Sequence, residues 1–233
     1  MQRLSGRTLR SIFERLYRQH GPQHWWPGDT RFEIMVGAVL TQNTAWSNVE
    51  RAIANLKQAG CLAADRIVAL PHEELTGLLR PAGYFNVKAQ RLKNFCRWYL
   101  DSGEGRRLAR WPTERLRRAL LSVNGVGPET ADDILLYAFE RPVFVIDAYT
   151  RRLFSRLGLI SGNESYEELR LAIEAALGPD VPLYNEFHAL IVIHAKDLCR
   201  VRPRCDGCSL SRRCPARTLH RGDRTRAGSN RSV

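Results

Sequence analysis

Apolar residues recur along the chain at three- and four-residue steps, the spacing that lines one face of a helix. Over 8–18 they are Leu9, Ile12, Phe13, Leu16 and Tyr17. An apolar run at 32–40 follows a loop at 21–30, and 48–59 carries Val49, Ile53 and Leu56. Pro71 separates two short helices, 62–70 and 71–79. The stretch 87–100 sets Leu92, Phe95 and Tyr99 on one face, and 112–121 places Pro112 in a first turn, where proline is favoured. Helices are also expected at 129–139, 147–157, 166–177 and 183–198, with Gly158 as a C-terminal cap. The run Val143-Phe144-Val145-Ile146 favours β-structure, but four residues suit a buried connector better than a strand. The fold class is therefore all-α.

Charge narrows the partners. Lys and Arg number 36 against 24 Asp and Glu, a formal net charge of +12, and hydrophobic residues make up 44% of 233. A core can be buried, and an anionic partner is expected, with nucleic acid the first candidate and a membrane surface the second. No apolar run reaches the roughly 18 residues that span a bilayer, and the start lacks a signal-peptide apolar region. A cytoplasmic, nucleoid-associated protein without a membrane partner is expected. The Arg-, Gly- and Ser-rich tail at 220–233 reads as disordered, a solubilising tail or a DNA-contacting arm.

Two segments carry candidate chemistry. In Asn124-Gly125-Val126-Gly127-Pro128-Glu129-Thr130-Ala131, two glycines bracket one aliphatic residue between two helices. Gly125 and Gly127 permit conformations and close approaches denied to other residues. Val126 can plug between the helices, and the N–H groups of the second helix can attract a phosphate. A Gly-x-Gly turn alone also suits an ordinary tight helix connection. Of the six cysteines, Cys61 and Cys96 sit alone in helical patterns and read as apolar filler, whereas Cys199, Cys205, Cys208 and Cys214 share one segment. Four thiolates suit tetrahedral zinc or a [4Fe–4S] cluster, and the spacing does not choose between them.

The complete hairpin pattern, with Pro128, Thr130 and Ala131, resembles the helix-hairpin-helix (HhH-GPD) DNA glycosylases of the endonuclease III superfamily. Leu40-Thr41-Gln42-Asn43-Thr44, Gly83-Tyr84-Phe85-Asn86-Val87-Lys88-Ala89 and the cysteine segment extend the likeness over roughly residues 30 to 214. The resemblance implies a two-lobed helical fold: a six-helix barrel domain with the hairpin at 31–140, and an iron–sulfur domain formed by 1–30 with 141–219. It implies that Asp147, after the 141–146 connector, stabilises the positive charge that builds on the sugar as a base departs. Asp147 also reads as an N-cap. Lyase members carry a lysine on the second hairpin helix. Here Glu129 stands there, a second functional carboxylate or merely favourable first-turn charge.

The Trp25-Trp26-Pro27 loop, Trp46 and Glu129 bring the likeness closest to the bacterial 3-methyladenine glycosylase branch. That branch holds an alkylated base between aromatics, here implied to be Trp25, Trp26, Pro27 and Trp46. A hydrophobic plug is the plainer reading of the tryptophan pair. Gln42 and Tyr84 are implied to fill or wedge the strand, with solvent-facing loop roles as the alternative. Gly125, Val126, Gly127 and Thr130 would hold DNA phosphate. The cysteines are implied to bind a [4Fe–4S] cluster, with Arg200, Arg202, Arg204, Arg212 and Arg213 gripping the backbone. The first cysteine gap has five residues where the family usually has six, and the alkyl-base branch does not generally need this cluster. His188 and His194, which precede the cysteines, read as ordinary core or surface residues or as part of the cluster-loop likeness.

The expected activity is a monofunctional glycosylase excising alkylated purines such as 3-methyladenine from double-stranded DNA, acting as a monomer. An endonuclease III-like glycosylase/lyase for oxidised pyrimidines, and a DNA-structure-binding protein without activity, are the alternatives.

Overall fold

The computed structural model describes residues 4–25 and 28–217. The expectations attached to Trp26, Pro27 and the 220–233 tail fall outside them. Among the described residues the regular elements are helical. They are α1 (Gly6–His20), α2 (Arg31–Leu40), α3 (Trp46–Gln58), α4 (Ala64–Ala69), α5 (His72–Leu79), α6 (Phe85–Asp101), α7 (Glu104–Leu108), α8 (Thr113–Leu121), α9 (Pro128–Asp133), α10 (Ala148–Arg156), α11 (Tyr166–Leu177) and α12 (Val181–Asp197). Contacts divide the chain into two compact units, one of residues 26–141, the other of residues up to 25 together with those from 142 onward. Among the described residues no helix is long and apolar enough to cross a membrane.

Within the contiguous unit, α6 packs against α2, α4 and α5. Its Leu92 and Phe95 are fully buried, as are Leu40, Ile67 and Leu79 on its neighbours. Each such side chain is worth about 1.5–3 kcal/mol of transfer free energy. Two lysines of α6 are buried as well. Lys88 Nζ donates to the Ala82 carbonyl at 2.7 Å, and Lys93 Nζ to that of Leu70. Each ammonium thus closes a carbonyl left open where a preceding helical turn ends. Pro71 and Pro112 stand one residue outside their helices, as N-caps of α5 and α8. The apolar pattern gives no hint of α7, which has only Gly105 and Leu108 buried.

The other unit packs α12 against α1 and α10. Phe187 of α12 meets the rings of Phe13 and Phe144 edge-on, at 5.7 and 5.8 Å between centroids. The Val143–Ile146 run is a buried connector, not a strand. Two of its backbone donors are met by side chains: Phe144 N–H donates to Glu174 at 2.9 Å and Ile146 N–H to the Tyr166 hydroxyl at 3.4 Å. That satisfies buried amides without a sheet. Gly158 closes α10 in a left-handed conformation, φ 66°, with Leu159 N–H reaching back to Phe154.

Candidate active site and cysteine loop

The hairpin joins α8 to α9, and a π-helical turn at Ile134–Ala138 continues α9. Its two glycines do different jobs. Gly125 takes φ 97°, and a Cβ there would collide with the Arg91 side chain. Gly127 is the extended N-cap of α9, φ −91° and ψ 178°, a conformation any residue adopts, and no protein atom lies within 4 Å of where its Cβ would be. The strained conformation expected at both is therefore needed only at Gly125. Val126 is buried at the bend, as a plug requires. The two helices are clamped by an ion pair: Arg117 of α8 donates to both oxygens of Asp132 of α9, at 2.7 and 3.1 Å, and Asp132 has no exposed surface. Neither residue stood out in the sequence.

Gln42 is braced against this hairpin. Its Nε2 donates to the Gly125 carbonyl at 2.9 Å and to Thr130 Oγ1 at 3.0 Å, and its Oε1 accepts from Arg91. Both ends of the amide are engaged, so in this conformation Gln42 supports the hairpin rather than reaching outward. Thr130 is buried beneath it, while Glu129 is exposed on the first turn of α9. Tyr84 is the opposite case. It is 72% exposed and holds φ 45°, ψ 33° immediately before α6. Left-handed backbone at an aromatic residue is costly and gathers at sites where a side chain must be held in place. Trp46 opens α3, with its indole N–H on Glu50 at 2.9 Å and its ring edge close to Gly37.

In the other unit, Asp147 is the N-cap of α10. One carboxylate oxygen accepts from Thr150 N–H at 2.6 Å, and the other lies 3.5 Å from His188 Nε2. Burial alone pushes such a carboxyl up. The His188 side chain and the Thr150 amide outweigh it and hold Asp147 below the ordinary carboxylate range. The Trp25 ring stacks on His188, 6.3 Å between centroids and 22° between planes. The sequence left His188 as an ordinary residue or as part of the cluster-loop likeness, with no tie to Asp147.

Cys199, Cys205, Cys208 and Cys214 line a single cavity with about 380 Å³ of empty space, part of it open to solvent. Two arginines of α10 hold this loop. Arg152 donates to the Cys199 carbonyl at 2.9 Å, and Arg156 to Cys199 Sγ at 3.3 Å and to the carbonyls of Arg200 and Val201. His194 lies 3.4 Å from Cys208 Sγ, and Gln19 of α1 pairs with Gly207 and Ser209. Burial pushes the Cys208 thiol up to about 11 and raises Cys214. As thiols they stay protonated, and a bound metal is what would draw them to thiolates. Among the described residues no three ligand side chains are placed to hold one ion. Four cysteine sulfurs around one cavity are a donor set that fits a metal group held by thiolates. Arg200, Arg202, Arg204, Arg212 and Arg213 are all exposed.

Residues 36–179 match the HhH-GPD superfamily of base excision DNA repair proteins, and the chain belongs to that family. It is 47% identical over 206 residues to a putative DNA repair glycosylase of Methanocaldococcus jannaschii, covering 87% of this chain and 94% of that one. It is 29% identical over 191 residues to endonuclease III of Sulfolobus acidocaldarius, covering 80% and 83%. Among solved structures, a 3-methyladenine DNA glycosylase of H. pylori bound to 1,N6-ethenoadenine superposes with a TM-score of 0.68 at 31% identity, over 82% of this chain and 95% of that one. An endonuclease III–DNA complex shares the fold, with a TM-score of 0.80 at 20% identity over 94% and 99%. The protein is a DNA glycosylase of the endonuclease III superfamily, acting on DNA in base excision repair.

Proposed function

We propose that this glycosylase is monofunctional and hydrolyses the N-glycosidic bond of alkylated purines such as 3-methyladenine. The observation that carries the reading is Asp147, a buried carboxylate kept ionised at the head of α10. As the C1′–N bond breaks, the electron pair leaves with the base. 3-Methyladenine is already cationic while joined to the sugar, so that pair neutralises it and no acid is needed. Positive charge moves to the sugar, where Asp147 stabilises it. Water then bonds to C1′, and its proton passes to Asp147 and on to solvent. Lyase chemistry needs an amine nucleophile, and the hairpin offers Glu129 at that position. The likeness to the ethenoadenine-bound glycosylase supports a purine substrate. Trp25, beside the His188–Asp147 pair, offers an electron-rich face to an extruded cationic base. Trp46 is a second candidate wall, and Tyr84 the candidate wedge.

The cysteines would hold a [4Fe–4S] cluster. When bound it supplies a structural cross-link, and the exposed arginines of the loop then face DNA from a fixed frame. Purified protein absorbing in the visible, with the colour lost in Cys199→Ser, supports this; a colourless zinc protein refutes it.

The activity is tested on oligonucleotides with single lesions, half of each sample treated with alkali. Breaks at alkylated purines that appear only after alkali are expected. Breaks without alkali, or a covalent complex trapped by borohydride, would overturn the monofunctional reading. They would favour a lyase acting on oxidised pyrimidines, the reading to which the endonuclease III relatives lend weight.

A further inference from the structure

The Phe144–Phe187 contact joins two segments just ahead of two polar residues. Phe144 lies three residues before Asp147, and Phe187 one residue before His188. Both phenylalanines are fully buried, and Phe187 also packs on Phe13 and Phe154. The backbones carrying Asp147 and His188 are thereby fixed against each other inside one packed cluster. His188 itself is 6% exposed, with Trp25 stacked on its ring and the Asp147 carboxylate at its edge. Thr150 N–H ties one oxygen of that carboxylate at 2.6 Å, in the manner of any capping aspartate. A cap alone leaves the second oxygen free to swing, and a carboxylate that must face a developing cation gains from having both oxygens aimed.

We propose that His188 is a positioning residue for Asp147: its Nε2 edge, held in place by the Trp25 ring, aims the second carboxylate oxygen at the reacting sugar. This inference rests on the reading of Asp147 as the glycosylase carboxylate. The separation of 3.5 Å is long for a hydrogen bond in the free enzyme, and such contacts commonly tighten when the substrate is bound. The arrangement also makes Trp25 serve twice. One face holds the histidine, so stacking of an extruded base on the Trp25 ring and aim of the carboxylate would be mechanically linked.

A near-isosteric pair of variants tests this. His188→Gln keeps an N–H donor near the position of Nε2, whereas His188→Met fills a similar volume without one. Full-length protein is titrated with a duplex carrying a pyrrolidine abasic analogue, whose ring nitrogen is cationic, and with one carrying neutral tetrahydrofuran. The ratio of the two dissociation constants reads how well the carboxylate faces a cation. Wild type should prefer the cation by about tenfold or more. His188→Gln should stay within about threefold of wild type, and His188→Met should lose most of the preference, while both bind tetrahydrofuran DNA as wild type does. Met equal to Gln, or better, would reduce His188 to packing and overturn the proposal. Circular dichroism checks folding, with His188→Leu replacing the Met variant if that fails to fold. Single-turnover base release separates the two readings. No release by wild type on the lesion panel defeats the glycosylase reading, whereas the cation preference still decides whether His188 aims Asp147.

Discussion

Replacing Asp132 with alanine would leave the Arg117 guanidinium buried without the carboxylate that takes two of its hydrogen bonds. Asp132 is wholly buried and the Arg117 side chain is only 8% exposed, so water cannot readily replace the lost partner. Removing one member of such a buried pair costs about 3–5 kcal/mol. The loss falls on the α8–α9 junction, because the pair is what bolts the two hairpin helices together. Urea unfolding followed by circular dichroism should show Asp132→Ala destabilised by about that amount, and thermal unfolding a midpoint temperature lower by roughly 10 °C. The double variant Arg117→Met/Asp132→Leu, which removes both charges, should recover most of the loss. A single variant within about 1 kcal/mol of wild type would refute the reasoning, since the charge would then have found water without cost.

The two hairpin glycines should respond differently. Gly125→Ala must fit a side chain at φ 97° against Arg91, and should cost about 1–3 kcal/mol in thermal unfolding. Gly127→Ala should fold as wild type does but bind undamaged duplex more weakly, as measured by fluorescence anisotropy, because the open space beside it is where a phosphate would approach. Asp147 lies below the ordinary carboxylate range, so its contribution to stability is present above its unfolded value of about 3.9 and is lost as pH falls through the lower folded value. Single-turnover base release should accordingly show no inflection from this carboxylate between about pH 5 and 8; an acid limb near 6 that disappears in Asp147→Asn would contradict it. Burial lowers Lys88 to about 8, and Arg91 adds to the shift. Between that value and about 10.4 the unfolded chain binds the extra proton, so stability should rise with pH across this window. Lys88→Met should abolish that rise in urea unfolding.

Helical pattern, hairpin and cysteine cluster are legible in the sequence because each is local. The stripe Leu9, Ile12, Leu16 buries as its spacing requires. The 143–146 run became a connector because the side chains of Glu174 and Tyr166, far along the sequence, take its amides. What escaped was set by distant partners. Gln42 has the composition of a strand-filling residue, and only tertiary structure places Gly125, Thr130 and Arg91 around its amide. His188 lies 41 residues beyond Asp147 in the sequence (188 less 147), a separation no motif spans. The π-helical turn at 134–138 follows a pattern that reads as ordinary α-helix, since both periods bury the same apolar run. Gly127 pairs with Gly125 in the sequence, yet one glycine serves backbone conformation and the other leaves open space.

The way the chain is divided between its two compact units has a consequence for synthesis. The unit of 26–141 is one continuous stretch, and all its helices, α2 to α9, have been translated before α10 begins. Its neighbour is assembled from both sides of that stretch. α1 emerges early with Leu9 and Leu16 destined for burial, yet its partner α12 is made more than 150 residues later, since it starts at 181 and α1 ends at 20. During elongation at about 5–20 residues per second, α1 therefore waits roughly 10 s or longer with its apolar face uncovered. The cysteines follow α12, together with the carbonyls that Arg152 and Arg156 grip. A metal group held by all four cysteines could be loaded only after residue 214 has been made, and nascent chains arrested before it would hold the hairpin complete and the carboxylate unit open.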